Sequence, residues 1–128
     1  EIDVTDRFGN RPVRIRFDGN GIIKASDGSK ETVILPFKTG LWYDLKLTVN
    51  ANPYGSYSLW INGKELLKNA ALAEAVKSVE RISFRTGAYR DLPNRNTPNQ
   101  EDALPLEGAD IPVSASEYYV DDLKIKSD

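Results

Sequence analysis

The chain has 128 residues, 40% hydrophobic and 28% charged, with a formal net charge of −2, which fits one folded domain over residues 1–128 with a real core. Such a charge balance speaks against nucleic acid as a partner, and no apolar run approaches the roughly 20 residues a membrane-spanning helix needs, so no membrane role is expected. Histidine and cysteine are both absent, which removes Ser-His-Asp and Cys-His chemistry, His- or thiolate-bound metals and disulfides.

Methionine is also absent, even at position 1, so the chain reads as a mature or excised domain. Its dominant pattern has period two. "PVRIRFD" sets Val13, Ile15 and Phe17 against Arg14 and Arg16, and the tight-turn signal "DGNG" follows. "GIIKAS" leads to a second turn at "SDGSK", where a β-turn accounts for the residues better than a calcium loop. "ETVILPF" is a more continuously apolar strand, with Pro36 marking its end or an edge. "WYDLKLTVN" sets Tyr43, Leu45, Leu47 and Val49 against Asp44, Lys46 and Thr48. After the loop "NANPYG", "SYSLWING" turns Tyr57, Leu59 and Ile61 inward and Ser58, Trp60 and Asn62 outward. Asn62-Gly63 is a favoured hairpin turn.

"NAALAEAVKS" suits a short helix, and "VERISFRTG" returns to strand. Residues 88–117, with four prolines and little periodicity, form a long loop that holds at most a short strand near Ile111–Val113. "EYYVDDLKIKS" reads as a last strand whose parity shifts at Asp121-Asp122, the signature of a bulge. The first residues are expected to pair with it. About eight short strands, no repeat and at most one short helix make an all-β chain, an antiparallel two-sheet β-sandwich.

Two stretches carry a family resemblance. "GLWYDLKLTVNANPYGSYSLWINGKEL" and "SEYYVDDLKI" resemble the paired strands and closing strand of concanavalin A-like (laminin G-like) jelly-roll domains. The resemblance implies a jelly roll attached to exported bacterial polysaccharide-degrading proteins, located extracellularly or in the periplasm. Its implied role is sugar binding or packing on neighbouring domains of a parent protein. It also implies a structural Ca2+ near the last strand, for which Asp121, Asp122 and Asp3 are candidate ligands. An aspartate holding backbone amides at the bulge is the competing reading.

The candidate carbohydrate site is Trp60, Arg85, Tyr89 and Arg90, with Arg14 and Arg16 beside them. An aromatic ring packs on the C–H face of a pyranose, and arginine forks bind hydroxyls or the carboxylates of acidic polysaccharides. The plainer account packs Trp60 beneath a loop and pairs the arginines with the 19 acidic residues. An enzyme is the alternative. Tyr89 with an arginine would serve a lyase, and Glu80 with Asp44 a glycosidase if a cleft separates them suitably. A purely structural spacer domain is the third reading.

Overall fold

Among residues 1–86 and 114–127, which a computed structural model describes, there are eight strands and no helix. They are β1 (Ile2–Thr5), β2 (Val13–Phe17), β3 (Ile22–Asp27), β4 (Lys30–Pro36), β5 (Leu45–Asn50), β6 (Ser56–Ile61), β7 (Lys64–Ala71) and β8 (Arg81–Phe84). All neighbours pair antiparallel, in a five-stranded sheet ordered β4-β3-β2-β1-β8 and a three-stranded sheet ordered β5-β6-β7. This is the expected β-sandwich.

Alternation decides which side chains meet between the sheets. Val4, Val13, Ile15, Ile23 and Ala25 come from the larger sheet and Tyr57, Leu59, Ile61 and Ala70 from the smaller, forming one buried cluster. Phe17 closes one end edge-on, its ring centroid 5.1 Å from that of Phe37 and 6.2 Å from that of Tyr43. Two polar links cross between the sheets. The Tyr57 hydroxyl donates to the Ser26 carbonyl, and the turn after β3 is tied to β7 through Gly28 N–H to Ala71 O (2.9 Å) and Ala71 N–H to Asp27 Oδ1 (2.8 Å).

The turns follow the sequence signals. Asn62 and Gly63 both have positive φ, 51° and 78°, as a mirror-image hairpin turn requires. Asp18 collects the turn between β2 and β3, accepting from the N–H groups of Asn20 and Ile22.

Three expectations need correction. The helix expected in "NAALAEAVKS" does not form: β7 runs through Ala71 instead. Ala70 pairs with Tyr57 and Ala71 with Ser56, so the ladder and the buried Ala70 outweigh alanine's helix preference. The first residues do not pair with the end of the chain. β1 has β2 on one side and β8 on the other, so neither edge is open. Residues 114–127 form no strand and lie exposed. The bulge expected at Asp121-Asp122 therefore has no strand to interrupt; Asp122 is left-handed at φ 51°, and its N–H bonds the Asp121 carboxylate at 2.8 Å. The short strand expected near Ile111–Val113 lies outside the described residues.

Candidate functional site: the outer faces of the two sheets

The sandwich has two outer faces, and the candidate residues divide between them. Arg14 and Arg16 on β2 and Arg85 just beyond β8 alternate with inward residues of the five-stranded sheet. Trp60 alternates with Leu59 and Ile61 on β6. The arginines and the tryptophan therefore stand on opposite sides of the molecule and do not form one surface. Tyr89 and Arg90 lie outside the described residues.

The five-stranded face is a self-contained charge lattice. Glu1 is central: its carboxylate accepts from Arg14 Nε (3.0 Å) and Nη2 (2.9 Å), and from Arg85 Nη2 (2.5 Å). Glu1 and Arg85 also exchange backbone hydrogen bonds of 2.8 and 3.0 Å, extending the β1–β8 ladder. Asp3 sits among Arg11 (3.5 Å), Arg85 (3.5 Å) and Arg14 (3.7 Å). Arg16 forks onto Glu31 at 2.9 and 2.5 Å, and Lys24 reaches Asp18 at 3.0 Å.

The two central carboxyls move in opposite directions. Burial, then the neighbouring Glu1 carboxylate, push Asp3 above the ordinary carboxylate range, against the pull of Arg11 and Arg85. Burial pushes Glu1 up as well, but Arg14 and Arg85 hold it below its ordinary value by charge and hydrogen bonds. The arginine forks here already grip carboxylates of the chain itself.

This arrangement also bears on the candidate cation ligands. Asp3 is ringed by guanidinium groups, while Asp121 and Asp122 lie in the exposed segment. Among the described residues no three acidic side chains gather as they would around a metal ion. Glu80 and Asp44, the carboxylates considered for a glycosidase, belong to different sheets. Glu80 leads into β8, its N–H bonded to Thr5 O (2.8 Å), whereas Asp44 leads into β5.

The three-stranded face is built differently. The register sets Lys46, Trp60 and Glu65 side by side across β5, β6 and β7. Trp60 is half-buried, and Lys46 Nζ stands 4.9 Å from its ring centroid, a cation–π contact. One row further on, Thr48 lies opposite Ser58, and the Asn69 N–H donates to Ser58 Oγ (3.0 Å) at a β-bulge. The indole is thus partly exposed, with the lysine ammonium over its ring. Its exposed part supplies an apolar surface, and the lysine ammonium over the ring supplies donors for hydroxyl groups.

Sequence reasoning missed one residue of this face. Trp42 is 68% exposed. Exposure alternates without interruption from Trp42 to Asn50, so Trp42 shares the outward parity of Asp44 and Lys46. Extending the alternation of "WYDLKLTVN" back by one residue would have found it.

Comparison with known proteins adds to this geometry. A family model described as "Sialidase-like, CBM domain" matches residues 1–101. A solved structure titled "Sialidase" is similar at a TM-score of 0.63 and 26% identity. That similarity covers 84% of this chain and 10% of the other, so the chain spans a small part of that protein's length. No curated protein matches.

Proposed function

The chain belongs to the family of sialidase-like carbohydrate-binding module (CBM) domains, and on that premise we propose that the outer face of its three-stranded sheet, centred on Trp60, holds a glycan. The family match does not itself name the concanavalin A-like domains that the sequence resembles. The two agree on the coarser point, a carbohydrate-associated β-sandwich. The chain is a non-catalytic accessory module, and its parent is a larger, exported glycan-degrading protein working extracellularly or in the periplasm.

One observation carries the choice of face: an indole left half-open on a strand, with a lysine ammonium 4.9 Å from its ring. Apolar ring surface left in water costs free energy unless something covers it, and a pyranose C–H face fits a flat ring. The arginines, which would suit an acidic sugar, already hold Glu1, Asp3 and Glu31.

The test is a glycan array with the wild type and Trp60→Ala, each checked for folding by near-UV circular dichroism. The expected result is binding to a class of glycan by wild type, with at least about tenfold weaker binding, or about 1.4 kcal/mol, in the folded variant. Undiminished binding by Trp60→Ala would remove the site from this face.

A further inference from the structure

We infer that Trp42 is a second platform on the same face, and that the ligand is an extended, uncharged glycan chain rather than a terminal sugar acid. This rests on the glycan-binding reading above and deepens it.

The first argument is the mounting of Trp42. Its indole is open to solvent, yet the backbone beside it is fixed. Tyr43 packs its ring against Phe17, and its hydroxyl accepts the Lys38 N–H at 2.9 Å. Asp44 is held from both sides of its peptide, its N–H bonded to Asn62 Oδ1 (2.9 Å) and its carbonyl accepting the Asn62 N–H (2.8 Å). A large apolar side chain that contributes no burial to the core, on a rigid support, is what a preformed binding surface displays.

The second argument is spacing. Trp42 precedes Lys46, the cross-strand neighbour of Trp60, by four residues. At the rise of an extended strand this is roughly 13 Å. One monosaccharide cannot bridge that distance, whereas a chain of linked sugars can lie along β5 and cover both rings.

The third argument is charge. Between the two rings lie Asp44 and Lys46, while Glu65 stands on the β7 side of Trp60. Lys68 follows on the far side of Trp60, and Lys64 pairs with inward-facing Ile61. Lys46 between the platforms is thus matched by Asp44, with Glu65 beyond Trp60. That tract has no excess positive charge with which to attract the carboxylate of a sugar acid, but it offers many partners for hydroxyls. The forked cations suited to carboxylates stand on the opposite face, paired with the chain's own acids.

Calorimetric titration of the whole chain tests this with three probes: the disaccharide N-acetyllactosamine, the hexasaccharide of three such units, and that hexasaccharide capped by sialic acid. The hexasaccharide is expected to bind about tenfold tighter than the disaccharide, and the acidic cap to add nothing beyond about twofold. Trp42→Ala should bring the hexasaccharide down to the disaccharide's affinity without changing the melting temperature. Trp60→Ala should weaken binding of both. Tighter binding of the capped probe, or an unchanged hexasaccharide affinity in Trp42→Ala, overturns the inference. Disaccharide binding that depends on Trp60 without a gain from length overturns it while leaving the proposed function standing. If none of the probes binds, the inference falls, and the array described above then decides the fate of the broader reading.

Discussion

Removing the Tyr57 hydroxyl while keeping its ring separates two contributions to the sandwich. Tyr57 is 1% exposed and its hydroxyl donates to the Ser26 carbonyl in the opposite sheet. Tyr57→Phe keeps the apolar packing and strands a buried acceptor, which costs about 1–3 kcal/mol. For a domain of this size each kcal/mol corresponds to about 3–5 °C in melting temperature. Burial pushes the hydroxyl's ionisation up to about 12 from its ordinary 10.0. The unfolded chain therefore loses this proton first. Stability from the neutral hydroxyl is complete below pH 10, declines above it and is fully lost once the pH passes about 12. At pH 11 the loss through Tyr57 alone is about 1.4 kcal/mol. Urea unfolding of wild type and Tyr57→Phe at pH 7 and pH 11 should show the wild-type advantage shrinking by about that amount. An equal gap at the two pH values would refute the reasoning, as would a gap near zero at pH 7.

Leu59, fully buried at the centre of β6, should cost about 2–5 kcal/mol when changed to Ala, read from the same urea curves. Gly55→Ala should destabilise by about 3 kcal/mol or more, because a Cβ there would lie 2.0 Å from the Asn50 carbonyl oxygen and 2.9 Å from the Asn52 backbone. Asp6 closes its loop by accepting from Phe8 N–H, Asn10 N–H and Asn10 Nδ2, at 2.7–2.9 Å. Asp6→Ala should cost about 1–3 kcal/mol at neutral pH. Burial raises the Asp6 pKa, but these bonds hold it below its ordinary value. Its contribution is therefore present above the ordinary carboxylate value and lost as pH falls through the lowered one, so variant and wild type should converge in acid melts. A chelator should leave the melting temperature unchanged, since guanidinium groups surround Asp3; a drop would instead assign a cation to the Asp121–Asp122 stretch.

The strands and hairpins were legible because their signals are local. Asn62-Gly63 names its own turn, and the alternation in "WYDLKLTVN" assigns each side chain of β5 to a face. Sheet membership is not local. Nothing in "PVRIRFD" or "SYSLWING" says that their outward residues look in opposite directions, so Arg14, Arg16 and Arg85 were grouped with Trp60. The helix expected in "NAALAEAVKS" failed for a related reason. Alanine's helix preference is a fraction of a kcal/mol per residue, while the ladder to β6 and the tie from Asp27 to Ala71 come from distant sequence. Trp42 was readable, because its parity follows from extending the alternation of "WYDLKLTVN" by one residue.

The separation of the two faces gives the module a front and a back. β1 and β8 both belong to the five-stranded sheet, whose outer surface is occupied by its own ion pairs. A module lying with Trp42 and Trp60 against a polymer would turn β1 and β8 away from it. The ion-paired surface would then face the surrounding solution, and the glycan would meet only the three-stranded sheet.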